Sequence, residues 1–341
     1  MTHSTPAPGD LPGTLAEHPG ARRMFAPNEL TLGMFLPLRS YAGDLGVMHG
    51  HAPLVDALDR SEFAGLWVRD IPLFDPGFGD VGQVFDPWTS LAWLAARTDR
   101  IALAAGSAVF SLRHPIDLAK QAASIDQLSG GRLVLGAASG DRATEYPAYG
   151  IDYEQRGERF RTAVEWFRAL TESEFPKLDG AGRVQGLDLL PKPVAGRVPL
   201  VVTGSSQQDP DWIAREADGW LVYPGATANA AGPRALAEKI AGFRDRIPGG
   251  VFKPVATNEW IDLVEDPNAT PTPLRGGFVL RTGTRGLIDL LGRWREGGVN
   301  HAALGVQHGR RPAEEVVQQL IEEVAPHFPA LAGPEPRPAW S

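Results

Sequence analysis

Residues 100–150 limit what this 341-residue chain can fold into more than any other stretch. They open with Arg100-Ile-Ala-Leu-Ala-Ala-Gly-Ser-Ala-Val-Phe, continue through Arg113-His-Pro-Ile-Asp-Leu-Ala-Lys-Gln, and pass on to Ser129-Gly-Gly-Arg-Leu-Val-Leu-Gly-Ala-Ala-Ser-Gly-Asp. The run 101–105 is short, apolar and without alternation, the pattern of a strand covered on both faces. Pro115 falls where the first turn of a helix accepts it, and Gly130 and Gly131 supply the stop. A second apolar run, 133–138, follows at once. Strand, helix and strand in this order form one right-handed crossover of a parallel sheet. Both strands leave through glycine or small polar residues, at the ends where such sheets carry ligands.

The same alternation runs along the chain. Strands are predicted over 30–36, 66–68, 101–105, 133–138, 199–203, 220–223, 255–264 and 300–306. Between them lie helices over 53–64, from Asp86-Pro87 to Arg97, from Pro115, over 154–170 and from Asp209-Pro210. Three more carry Leu236, Ile240 and Phe243, then Leu287, Ile288, Leu291 and Trp294, then Val316, Val317, Leu320, Ile321 and Val324. Eight strands alternating with eight helices predict a single (β/α)8 TIM barrel with loop insertions. The barrel is expected over 29–330, with a polar N-terminal tail over 1–28 and a C-terminal tail over 331–341. The insertions 71–85, 174–198 and 264–283 are expected to form the outer wall of any pocket at the mouth.

Composition removes several function classes. A net charge of -8 without a lysine-rich run argues against nucleic-acid or anionic-membrane partners. The chain has no cysteine, which excludes disulfides, thiol catalysis and cysteine-ligated metal, and suits a cytoplasmic location. No stretch reads as a membrane span. His49 and His51 stand without enough companion ligands for a metal, so none is expected.

Three strand exits carry polar groups: Gly106-Ser107, Ser139-Gly140-Asp141 and Gly204-Ser205-Ser206. The last lies between an apolar strand and a helix opened by Asp209, an arrangement suited either to an anion such as phosphate or to an ordinary serine turn. Asp70 ends the second strand, either as a group that takes or gives a proton, or as the ion-pair partner of a neighbouring arginine or a loop cap. His114, before Pro115, reads as a structural residue at a helix start rather than as a catalyst. No dinucleotide fingerprint, Walker loop or serine elbow is present.

From Arg113 to Asp141 the sequence closely resembles the bacterial luciferase-like flavin oxidoreductase family, of the luciferase-type oxidoreductase branch. The likeness continues through Glu145-Tyr-Pro-Ala-Tyr-Gly and returns at Pro199-Leu-Val-Val-Thr-Gly-Ser-Ser, Ala217-Asp-Gly-Trp and Gly298-Val-Asn-His. The resemblance implies a commonly dimeric barrel that binds FMN at its mouth. It implies that Gly106, Ser107 and Ala108 approach the isoalloxazine, with a non-prolyl cis peptide near Ser107 and Ala108. Ser139 and Gly140 are then expected on the ribityl-phosphate side, with Gly204, Ser205 and Ser206 at the phosphate. Three positions depart from the family pattern: Asp70 replaces a catalytic histidine, Ser139 a phosphate-binding arginine and Phe160 a tyrosine.

The reading that follows is an enzyme, a monooxygenase using reduced FMN and oxygen on a small organic substrate. A separate flavin reductase supplies the reduced cofactor. Asp70 and Arg113 are the expected catalytic residues, with Phe35, Trp67 and Phe110 as pocket walls. The alternatives are a deazaflavin-dependent hydride-transfer oxidoreductase and a non-catalytic flavin-binding protein.

Overall fold

The computed structural model describes residues 11, 13–38, 50–75, 77–78, 85–333, 335–336 and 338. Among the described residues the first α-helix is the short α1 (Pro19–Met24), after which the chain alternates β1 (Thr31–Phe35), α2 (His51–Arg60), β2 (Gly65–Val68), α3 (Pro87–Arg97), β3 (Ala102–Val109), α4 (Pro115–Ser129) and β4 (Leu133–Ala138). After β4 come the single-turn α5 (Glu145–Ala148), the long α6 (Arg156–Glu172) and a small hairpin of β5 (Leu178–Asp179) and β6 (Arg183–Val184). The second half runs β7 (Leu200–Thr203), α7 (Pro210–Glu216), β8 (Gly219–Leu221), α8 (Ala231–Arg244) and β9 (Val255–Leu263). It ends with β10 (Thr272–Leu274), β11 (Val279–Thr282), α9 (Thr284–Glu296), β12 (His301–Gly305) and α10 (Ala313–Gln319).

The parallel strands pair in the order β1-β2-β3-β4-β7-β8-β9-β12, and β12 returns to β1 with Leu32 opposite Ala302. That closure makes the expected (β/α)8 barrel. The N-terminal half of β9 completes the barrel, while its last residues carry β11 in parallel register, Leu280 opposite Ile261, with β10 antiparallel beyond. The insertion 264–283 is therefore partly strand, an extra edge standing on one side of the mouth.

Local chemistry fixes the helix ends. The Asp86 carboxylate accepts from Thr89 N at 2.9 Å to start α3, and Asp209 accepts from Trp212 N at 2.7 Å to start α7. His114 Nδ1 accepts from Ile116 N at 3.3 Å, the structural role its position suggests. Arg132, which follows the glycine stop of α4, is buried against carbonyls. Its Nη2 donates to Ala95 O at 3.1 Å and Thr98 O at 2.6 Å, its Nη1 to Ile101 O at 2.9 Å and Thr98 Oγ1 at 2.7 Å, and its Nε to Ser129 O at 2.7 Å. One guanidinium thus satisfies the end of α3, the entry to β3 and the end of α4.

Two apolar layers result. An outer one lies between strands and helices, and an inner one fills the barrel with Ala102, Ala104, Val134, Val201, Ala256 and Ala303 around Trp67, Phe35 and Trp260. Part of the stretch expected as a polar tail belongs to this inner layer, because α1 places Ala21 and Met24 in the barrel's lower end. Beside Met24, Trp67 Nε1 donates to His301 Nε2 at 2.9 Å, and His301 Nδ1 meets Thr31 Oγ1 at 2.7 Å. The Thr31 hydroxyl itself donates to Met24 O, so the imidazole holds its proton on Nδ1. Burial lowers its pKa to about 3, and it stays neutral. Gly33 makes this possible, since a Cβ there would lie 2.6 Å from Trp67 Nε1.

Candidate active site

The C-terminal strand ends surround one cavity of about 440 Å³. Phe35 from β1 and Trp260 from β9 form its aromatic floor, with ring centroids 5.2 Å apart. From β3 come Gly106 and Ser107, at a bulge where the three steps from Ala105 to Ala108 span the two from Leu135 to Ala137 of β4. The extra residue turns Ser107 toward the mouth. A non-prolyl cis peptide lies between Gly106 and Ser107, one bond earlier than expected. The Ser107 hydroxyl bonds the Thr203 hydroxyl at the end of β7, tying two of the three polar exits together.

The exit of β4 is held from below. Tyr146 OH and Ser111 Oγ both donate to Ser139 O, the latter at 2.7 Å. Gly140 turns the chain with φ of 77°, and Asp141 and Arg142 continue along the cavity wall. After β7, Gly204, Ser206 and Gln207 all have positive φ. Ser206 Oγ donates to Thr203 O at 2.7 Å, and Gln208 N donates to Ser205 O at 2.8 Å, closing a tight turn with the Ser205 side chain exposed. The start of α7 is already taken by the Asp209 carboxylate, so the polar wall here is the turn itself.

Gly106, Ser107, Ser139, Gly140, Gly204, Ser205 and Ser206 all border this one cavity. Ala108 does not; it is buried opposite Ala137. Asp70 also lines the cavity, but its carboxylate is occupied: Arg113 Nη2 is 2.6 Å from Oδ1, Arg113 Nη1 bonds Oδ2, and Val109 N donates to Oδ2 at 2.8 Å. Burial pushes the Asp70 pKa up, and the Arg113 charge opposes that rise. Arg113 stands behind Asp70, outside the lining. Trp67 and Phe110, expected as walls, are fully buried, Trp67 inside the barrel and Phe110 against Phe160 and Phe167 in the outer layer.

The insertions divide differently from the expectation. Ile71 and Phe78 from the first and Phe278 from the third reach the cavity. Residues 174–198 instead pack along the outside of α4, where His114 Nε2 meets Ala181 O at 3.2 Å and Gln127 Nε2 donates to Lys192 O at 2.8 Å. Of the two histidines considered for metal, His51 Nε2 accepts from Leu38 N at 3.1 Å, and His49 lies outside the described residues.

Sequence reasoning missed Arg69, Glu145 and Trp260. Trp67 of β2 points into the barrel, so Arg69 two residues on has the parity of a mouth residue, a signal that was available. Glu145 is buried, its carboxyl held above the usual range by burial, with Leu73 N as a partner and its Oε1 unpaired among the described residues. Trp260 packs against the rings of Phe278 and His308, and the His308 pKa is lowered to about 4 by burial, then by Arg275 and Arg69.

The family model for luciferase-like monooxygenase matches residues 30–251. The chain belongs to that family. An uncharacterised protein of Mycobacterium tuberculosis is 36% identical over 144 residues, covering 42% of this chain and 51% of the relative. An F420-dependent hydroxymycolic acid dehydrogenase of the same species is 28% identical over 217 residues, covering 62% and 58%. The chain thus spans about half the length of the curated relatives it matches. Among solved structures, the luciferase-like fold recurs in monooxygenase RslO1 from Streptomyces bottropensis, with a TM-score of 0.72, 20% identity and coverage of 87% and 99%. It recurs also in an F420-dependent secondary alcohol dehydrogenase, with a TM-score of 0.70, 18% identity and coverage of 88% and 99%.

Proposed function

We propose that the cavity binds FMN and that the chain is a flavin-dependent oxidoreductase, acting as a monooxygenase on a small organic substrate. The observation that carries this reading is the convergence of Ser107, Ser139 and Ser205, from three separate strand ends, on one cavity with Phe35 and Trp260 as an aromatic floor. The donor set suits the group. Phe35 and Trp260 offer a surface for a planar ring, and hydroxyls with a turn of positive φ offer partners for a ribityl chain and phosphate. Gly204 leaves that arm open, since no atom of the described residues beyond its chain neighbours lies within 4 Å of where its Cβ would stand.

Bound in reduced form, FMN supplies the electron pair for reaction with oxygen. The chain's own residues do the rest. Gly106, Ser107 and the neighbouring Ala108 backbone set the ring, Ser139 and Gly140 hold the chain, and Gly204, Ser205 and Ser206 hold the phosphate. Phe35, Trp260 and Phe278 exclude water from the reacting side. Asp70 and Arg113 act as a positioning pair that fixes the exits of β2 and β3 relative to each other, because both carboxylate oxygens are engaged. Burial holds the Glu145 carboxyl above the usual carboxylate range beside the cavity. A separate reductase provides the reduced cofactor, and two copies of the chain form the working unit.

A deazaflavin-dependent hydride transfer is the second reading, favoured by the F420 dependence of the dehydrogenase relative and of one structural neighbour. The mass of the cofactor released from purified protein, with oxygen uptake on adding reduced FMN and a substrate panel, tests both. FMN and substrate-dependent uptake support the first reading; a deazaflavin mass with no uptake overturns it.

A further inference from the structure

The side chain of Arg69 lies across the mouth of the barrel. Val68 pairs with Ala105, so Arg69 stands beside Gly106 where the bulge of β3 begins. From there its guanidinium reaches over the floor, 5.3 Å from the ring centroid of Trp260. Its neighbour Asp70 is committed to Arg113. Among the described residues the charges that face it include Arg142, which also lines the cavity and repels it, with Asp141 and the Tyr223 hydroxyl. Burial lowers its pKa to about 10, so it remains a cation at neutral pH at a desolvation cost. A half-buried cation beside a second guanidinium, on a stacking platform, is arranged for an anionic planar partner.

We propose that Arg69 is the electrostatic partner of the bound flavin ring and selects its reduced, anionic form over the oxidised, neutral one. This rests on the flavin reading above. Uptake of two electrons and one proton by oxidised FMN leaves one negative charge delocalised on the N1–C2=O side of the ring, and a guanidinium in a water-poor site favours that form. A neutral ring gains little from the same contact. Arg69 would then make the chain hold delivered reduced cofactor more tightly than spent cofactor.

Anaerobic titration of the full chain with oxidised FMN and with reduced FMN tests this in the wild type, Arg69→Met and Arg69→Lys. Circular dichroism and thermal melts of each variant establish folding. The expected result is a loss of roughly 10- to 100-fold in affinity for reduced FMN in Arg69→Met, the scale of one charge-assisted contact. Affinity for oxidised FMN is expected to change by no more than about threefold on the same scale, and Arg69→Lys should recover most of the loss. Equal losses for both forms, or no loss for either, would overturn the role of Arg69 while leaving the flavin site standing. A wild type that binds neither form would overturn the flavin reading and this inference together.

Discussion

Arg113 grips Asp70 at two points, with Nη2 2.6 Å from Oδ1 and Nη1 on Oδ2, and the Asp70 side chain is entirely removed from solvent. The pair joins the exit of β2 to the turn that follows β3. Breaking a buried pair strands the surviving charge, so Asp70→Asn and Arg113→Met should each destabilise the chain by roughly 3–5 kcal/mol. Urea denaturation of the two single variants and the double variant measures this. Two losses that add in full would show that the residues do not act as a pair.

Arg132 should matter to stability far more than a surface arginine. Replacing it by methionine leaves the carbonyls of Ala95, Thr98 and Ile101 without their donor in the interior. The expected cost is at least about 3 kcal/mol, on the scale of several buried unsatisfied groups. An unchanged denaturation midpoint would refute the role assigned to this side chain.

Glu259 makes stability depend on pH near neutrality. Its Oε1 accepts from Trp260 N at 3.1 Å, the Thr227 hydroxyl also bonds the carboxyl, and Oε2 has no partner among the described residues. Burial raises the pKa from the ordinary 4.5 to about 7. The folded protein therefore keeps a proton that the unfolded chain has released. Stability should fall as pH rises from about 4.5 to about 7 and level off above that, by about 3 kcal/mol at most. Glu259→Gln should flatten this part of the profile; a variant that retains the full slope would assign it elsewhere.

Gly106 has no room for a side chain. A Cβ there would lie 2.9 Å from both the Phe35 and Trp67 rings, so Gly106→Ala should cost about 1–3 kcal/mol by overpacking and push Phe35 toward the cavity. Thermal melts read the first effect and FMN titration the second. A variant with wild-type melting and binding would show that the floor yields freely.

The barrel was legible because each strand is a short apolar run bounded by glycine, proline or a capping residue, with Asp86, His114 and Asp209 starting helices where their positions suggest. The three polar exits were legible for the same reason: glycine and serine at strand ends stand out against apolar neighbours. Trp260 was not, because its meaning depends on which way the strand's pleat faces, and β9 is buried along both faces; for Arg69 the signal lay in its parity with Trp67. The hairpin insertion 174–198 carries no pattern that separates a pocket wall from a brace on α4. Arg132 sits in the most recognisable stretch of the chain, yet its partners are backbone atoms from three elements, and no side-chain code announces them.

The most direct measurement is titration of the purified chain with FMN, followed by tryptophan fluorescence, since Trp260 forms the cavity floor. The account predicts saturable quenching with one FMN per chain, weakened by Ser107→Val and by Ser205→Val, with most of the quenching lost in Trp260→Phe. No saturable binding of FMN or of a deazaflavin, in either redox state, would contradict it.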